Sequence, residues 1–327
     1  GLRLQGRYTP TSFWLPTEVP GELTPNPHFA DRFVGRTLAR MARSTRVLER
    51  PPAGTLRIVV FGESAALGDP EPAFGMSRCL EALLEARFPG RRVEVVNTAI
   101  TALNSHAIRE AARDSQRLGA DFWVIYAGNN EVIGPFGPGS TTGGMTPSLL
   151  TTRLGLRLRE TALGQWLTDR PAATADGLSL TQRWTGLELF LDRQVAASDP
   201  RLSPMRENFR INLSDTVRLG AASGAKVLLG TMAVNLVDCP PFSSLSSSQT
   251  NRPEFARWSA AAALARNQDE QGALAEAVAA WTNAAALWPE DAETRYRLGL
   301  ARLNASEFAA GRAELESARD LDLLRLD

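Results

Sequence analysis

The sequence predicts an α/β protein: a doubly wound, three-layer sandwich around a parallel sheet, followed by an α-helical repeat segment. Three observations predict it. Short apolar runs of strand length end at turn residues and are followed by apolar positions at helical spacing. Strand and helix patterns alternate from Leu56 to about Leu229, the order that yields a parallel sheet. Beyond about Pro253 strand signals vanish, and a pattern rich in Ala, Leu, Arg and Glu repeats itself.

The first element is Leu56-Arg57-Ile58-Val59-Val60-Phe61, a buried-strand run closed by Gly62. Met76, Cys79, Leu80, Leu83 and Leu84 then recur at helical spacing and predict a core helix. Val93-Glu94-Val95-Val96 is the second strand, with a helix through Ile108 and Leu118, and Phe122-Trp123-Val124-Ile125-Tyr126 is the third. Met205, Phe209, Leu213 and Val217 form an i, i+4 stripe that leads through Gly224 to the strand Val227-Leu228-Leu229. Residues 1–52 are rich in Pro, Gly, Thr and aromatics (Tyr8, Phe13, Trp14, Phe29, Phe33) and read as an extended arm that packs on another surface. The predicted organisation is this arm, an α/β domain over 53–250 with an irregular helical insertion at about 139–204, and helical repeats over 251–327.

Those repeats have a period. Leu264, Ala265, Ala277, Trp281, Ala284 and Pro289 recur 34 residues later as Leu298, Gly299, Gly311, Leu315, Ala318 and Leu323, the tetratricopeptide spacing of small and large packing positions. Two such repeats bury little surface alone and need a neighbour or a cap.

Composition removes several function classes. The chain has 327 residues, enough for a large domain and an appendage, and its 36 Lys plus Arg balance 36 Asp plus Glu, so no net field favours nucleic acid. Cys79 and Cys239, on a predicted core helix and a post-strand loop, form no disulfide framework. No apolar run reaches the roughly 18 residues that cross a bilayer, and no signal-peptide core is present. The chain begins at Gly1 rather than Met, the expectation for a processed or trimmed product with room for an anchor upstream. Gly62-Glu63-Ser64-Ala65-Ala66-Leu67-Gly68 lacks the Lys and the spacing of a nucleotide-binding loop, and neither histidine pairs with a cysteine at metal-ligand spacing. No cofactor and no metal are expected.

Chemistry is carried by three loops at carboxyl strand ends: Phe61-Gly62-Glu63-Ser64, then Asn97-Thr98-Ala99-Ile100-Thr101-Ala102, then Gly128-Asn129-Asn130-Glu131. A Gly-x-Ser after a strand is by itself usually a tight turn with a capping hydroxyl. In this order, over about Leu56 to Leu245, the blocks resemble the SGNH (GDSL-like) hydrolase family, which implies a flavodoxin-like fold. By that resemblance Ser64 stands at the nucleophile position, and Ala102 and Asn130 stand at the oxyanion positions, Ala102 where the family usually has Gly. Oxyanion donors of this kind contribute roughly 3–4 kcal/mol each in an acyl-transfer reaction. Ala102 offers its N–H only if the loop needs no positive φ there. Glu131 replaces the usual Asp and reads as a cap on the turn that follows it. The runs from Ala65 to Pro72, Glu131 to Pro138 and Asn235 to Phe242 further resemble a bacterial subgroup whose SGNH domain is interrupted by tetratricopeptide repeats. In that subgroup the last strand and an Asp-x-x-His block follow the repeats, whereas this chain stops at Asp327 as the repeats end.

A serine hydroxyl needs a base, and in this family the base is a histidine oriented by an aspartate three residues earlier. His28 lies in the N-terminal arm and reads as a surface or packing residue. His106 follows the second block and is the remaining candidate, but Leu103-Asn104-Ser105 offers no Asp-x-x-His, and it reads first as polar support at a helix start. Two functions of different class follow. In one, the chain is a non-catalytic scaffold that binds a protein partner through the repeats and the arm, on the soluble, periplasmic or membrane-attached side of a membrane-bound complex. In the other, it is a serine esterase or acyl hydrolase whose last strand and base lie beyond Asp327. A sheet without its last strand would expose an unpaired edge.

Overall fold

The structure is a computed structural model and describes residues 8–35, 38–141, 146–168, 192–248, 251, 253 and 255–325. It divides into two compact units, one of Gly1–Leu189 with Ser203–Met232, the other of Phe190–Leu202 with Ala233–Asp327.

The first unit is built on four parallel strands, β4 (Leu56–Gly62), β5 (Val93–Asn97), β6 (Phe122–Tyr126) and β7 (Lys226–Leu229), in the order β5-β4-β6-β7. Side chains alternate across a strand, and the alternation sorts two cores. Val59, Phe61, Val96, Trp123 and Ile125 face one side. There they meet α4 (Ser105–Ser115) and the partly buried Leu213 and Val217 of α7 (Leu202–Ala222). Ile58, Val60, Val95 and Val124 face the other, against Met76, Leu80 and Leu84 of α3 (Met76–Arg87). The parallel sheet with flanking helices is an α/β sandwich, as the alternating pattern predicts. At the sheet edge β7 leaves Leu228 55% and Leu229 52% exposed.

Two helix expectations need correction. On α3, Cys79 and Leu83 are exposed, so only the 76/80/84 line reaches the core and Cys79 is not a core residue. On α7 Met205 is buried and Phe209, Leu213 and Val217 are partly buried, but the seam beside them, buried more deeply, is polar: Asn208, Asn212 and Thr216 at i, i+4 spacing. Central β4 also carries a charge. Arg57 is fully buried, and its guanidinium is held by Glu94 (2.8 Å) and the carbonyls of Leu48 and Leu118.

The expected N-terminal arm is not a separate surface-packing extension. It forms an antiparallel sheet, β1 (Trp14–Pro16), β2 (Glu22–Pro25) and β3 (Val47–Leu48), with α1 (Asp31–Val34) between β2 and β3. Its Phe13, Trp14, Phe29 and Phe33 are buried in the same core as α4. Phe13 stacks edge-on with Trp14 and with Phe29, each at 5.0 Å. Polar bonds complete the docking: Trp14 Nε1 donates to Ser115 Oγ (2.9 Å), and the Phe13 N–H to Asp114 (2.6 Å). Four large aromatics hold too much apolar area to stay at a surface, so this part of the segment packs against α4 instead of extending free. Of the 139–204 insertion, α5 (Leu149–Arg159), α6 (Ala162–Thr168) and the start of α7 are regular helix, and 169–191 lies outside the described residues.

The second unit also differs from the expected boundary, because residues 192–202 and 233–248 belong with the helices rather than with the sheet. Its helices are the short α8 (Leu245–Ser248), then α9 (Phe255–Glu270), α10 (Leu274–Leu287), α11 (Ala292–Asn304) and α12 (Phe308–Leu321). Each of α9 to α12 packs on the next in sequence. Two carboxylates fix the irregular chain to them. Asp291, fully buried, accepts from Ser244 Oγ, the Ser246 N–H, and the N–H and hydroxyl of Thr294. Asp322 accepts from the N–H groups of Phe242, Ser243 and Leu324.

The repeat positions Ala265, Ala277, Trp281, Ala284, Leu298, Leu315 and Ala318 are all buried, but Leu264 is exposed where Leu298 is not. The buried face of α9 is instead Trp258, Ala262 and Ala265. Between α11 and α12 the glycines Gly299 and Gly311 leave no room for a side chain. A Cβ on Gly299 would sit 2.7 Å from Leu315, and one on Gly311 2.9 Å from the Gly299 carbonyl. Gly299→Val therefore overpacks this contact and is expected to lower stability by about 1–3 kcal/mol in denaturant unfolding, with a wild-type-like midpoint counting against the packing described.

Candidate functional site

All four parallel strands point their carboxyl ends to one edge, so the loops after Gly62, Asn97 and Tyr126 gather there. A glycine ends β4 because a Cβ at Gly62 would meet the Tyr126 carbonyl at 2.2 Å and Ala66 at 2.4 Å. The chain turns through Glu63 into the single-turn helix α2 (Ser64–Leu67), and Ser64 is its half-buried first residue. Among the described residues none hydrogen-bonds the Ser64 hydroxyl.

The second loop is pinned to the first. Asn97 Nδ2 donates to the Ala66 carbonyl and to Ser77 Oγ, both at 2.8 Å, while its oxygen accepts the Ala99 N–H. Thr98 bonds the Val60 carbonyl through its hydroxyl and its N–H, and Thr101 bonds Asp69. Ala102 lies at φ 62°, the left-handed region that alanine resists and glycine accepts. The condition for an easy N–H at this position is thus not met: the loop requires a positive φ and alanine bears the strain.

Glu63 holds the third loop. Its buried carboxyl accepts the N–H groups of Gly128 (3.3 Å) and Asn130 (3.1 Å), and the Asn129 N–H joins them. Asn130 at the oxyanion position is buried, and its Nδ2 donates to the Leu103 carbonyl at 3.0 Å. One N–H of the expected oxyanion amide is thus a loop-to-loop tie. Glu131 does not cap the turn after it. It reaches back to α4, accepting from the Ser105 N–H (2.7 Å) and hydroxyl (2.9 Å), where the positive end of the helix suits a carboxylate. Asn104 completes the junction by donating to the Pro135 carbonyl.

His106 is engaged by neighbours other than Ser64. Its ring is buried, stacks edge-on against Phe136 (5.3 Å), and has Nδ1 3.1 Å from Asn212 Nδ2. Burial and the cations Arg153 and Arg109 lower its pKa to about 4, so the ring is neutral at physiological pH. His28 is exposed and pairs with Asp31 at 3.0 Å. No hydrogen bond joins Ser64 to Ala102, Asn130 or His106 among the described residues. Two further residues order the site and escape motif reading: Glu63, hidden inside the first block, and Asn212, which bridges Ser105, His106 and Arg153 (2.9 Å) from α7. The polar spacing of Asn208, Asn212 and Thr216 was the available signal for the second. Among the described residues, no group of His, Cys, Asp and Glu has the arrangement to hold a metal ion.

Electrostatically the site is a buried dicarboxylate. Burial, then repulsion from Glu131, pushes Glu63 well above the ordinary range despite its backbone donors. Burial pushes Glu131 up to about 7 against the bonds from Ser105. A raised folded-state pKa means that the folded protein keeps a proton the unfolded chain has released. The associated stability is full below the ordinary value near 4.5 and is lost as pH rises through about 7.

No family model matches this chain, and no curated protein matches it. Among solved structures the chain is similar to the crystal structure of TesA, with 17% identity, 52% of this chain and 76% of that chain covered, and a TM-score of 0.25. A likeness at that TM-score leaves fold and activity to be argued from the chain itself.

Two outcomes are expected. Ala102→Gly relieves the left-handed strain and raises stability by about 0.5–1 kcal/mol in thermal unfolding; a loss would place the strain elsewhere. The urea midpoint falls between about pH 5 and about pH 8, and Glu131→Gln removes part of that fall while Glu63 retains the rest; a midpoint that rises over this range contradicts the buried pair.

Proposed function

We propose that this chain is a non-catalytic, SGNH-like module whose paired helices act as tetratricopeptide-type repeats that bind a protein partner. The observation that carries this reading is the state of His106. The one histidine near the strand-end loops is buried and bonded to Asn212, and burial with the cations Arg153 and Arg109 makes it a weak base, so it supports no proton transfer from Ser64, whose hydroxyl is bonded by none of the described residues. The tie from Asn130 to the Leu103 carbonyl adds support, because it uses one of the amide's two N–H groups for architecture.

The repeats supply a binding surface. Leu274 and Phe308 are the first residues of α10 and α12, 34 residues apart, and both are exposed, 46% and 68%. A recurring apolar side chain at one repeat position suits a peptide or helix partner. The module works on the soluble side of a membrane-bound assembly, in the periplasm or attached to the membrane.

A second reading has its own support. The Ser64 hydroxyl is unbonded and half-buried at the carboxyl end of the central strand, as an acyl hydrolase with a base from residues outside this chain requires. One assay separates the two. This chain and its Ser64→Ala variant are expected to release p-nitrophenol from a short acyl ester at the same background rate and to unfold at the same temperature. Ser64-dependent release would overturn the non-catalytic reading in favour of the hydrolase.

A further inference from the structure

One face of the first unit presents leucine at helical spacing to solvent. On α5, Leu150, Leu154 and Leu158 recur every fourth residue and are 78%, 58% and 46% exposed; on α6, Leu163 and Leu167 continue at 57% and 50%. Exposed leucines scattered singly need no explanation, but three at i, i+4 spacing on one helix with two more on the helix packed beside it mark a surface that meets something apolar.

The row sits on an anchored helix. Thr152 and Leu156 bury the opposite side of α5. Arg153 bonds Asp215 (2.7 Å) and Asn212 (2.9 Å), and Arg159 donates to the Arg32 carbonyl. The leucines are therefore held outward by ion pairs and hydrogen bonds on the inner face. The only other long side chain exposed on α5 is Arg157, which has no ionic or hydrogen-bonded partner among the described residues. Glu160, the carboxylate at the end of α5, is occupied by Arg32 (3.1 Å) and Arg113 (2.9 Å).

The chemistry of this face selects its occupant. Protein–protein interfaces concentrate aromatic residues at their core. Among the described residues of α5 and α6 the exposed large apolar side chains are all leucine, no carboxylate accompanies them, and the one exposed charge is the cation Arg157. Leucine on one side with Arg at its margin is the composition of a helix lying in a lipid interface, apolar side chains among the acyl chains and the cation at an anionic headgroup. We infer that the α5–α6 face docks the protein on an anionic lipid surface. No helix among the described residues is long and apolar enough to cross a membrane. The inference does not depend on whether Ser64 is catalytic.

Co-sedimentation of the whole chain with vesicles tests it, using phosphatidylcholine alone and phosphatidylcholine mixed with phosphatidylglycerol. The protein is expected to pellet with the mixed vesicles. The double variant Leu154→Glu, Leu158→Glu is expected to stay in the supernatant while unfolding at the wild-type temperature, since both positions face solvent. Arg157→Ala is expected to weaken partitioning about fivefold on the mixed vesicles and little on phosphatidylcholine alone. No pelleting by the wild type, or equal pelleting by the double variant, overturns the proposal. So does a concentration-dependent dimer that the double variant abolishes without vesicle binding, which would assign the face to a second copy.

Discussion

The strand-end edge of the first unit depends on one buried carboxyl, that of Glu63. It stands where the central strand ends, and the loop after β6 wraps its N–H groups around it. Without that acceptor the three amides would lose their partner, at up to roughly 1–3 kcal/mol for the buried Asn130 N–H and less for the half-buried Gly128 and Asn129. The position of Asn130 and Glu131 follows from it, and Asn130 and Glu131 in turn hold Leu103 and Ser105 at the start of α4. Asn212 extends the same network to α7 and Arg153. The cost is a pair of carboxyls driven toward the protonated state, so the loops are tied most firmly below neutral pH.

This arrangement explains why motif-bearing loops can persist around an unclaimed serine. The Asn97, Thr98, Glu63, Asn130 and Glu131 side chains all bond neighbouring elements, so each contributes to the join between loops whether or not chemistry occurs. Ala102 is the exception. Its left-handed backbone is strained and forms no side-chain tie, a local conflict imposed by the surrounding loops.

The sheet was legible in the sequence because strand burial has a strict period: β4 and β6 coincide with the apolar runs that predicted them, and their alternate residues divide cleanly between two cores. What was illegible depends on partners distant in sequence. Glu131 looks like a local turn cap, yet its donors lie 26 residues earlier. Cys79, Leu83 and Leu264 fit helical periods but lie on the exposed sides of their helices. The N-terminal segment has weak periodicity because its aromatics cluster through three short strands and a single-turn helix instead of one amphipathic face. The boundary between units was missed because Asp291 and Asp322 recruit irregular chain by backbone hydrogen bonds, which leave no apolar pattern.

Native-state hydrogen exchange at Gly128 and Asn130 tests the role of Glu63 most directly. The account predicts slow exchange at both amides in the wild type and fast exchange in Glu63→Ala, while the amides pairing β4 with β6 stay protected. Protection at Gly128 and Asn130 that survives Glu63→Ala would contradict it, and would mean that the loops are held together without the buried carboxyl.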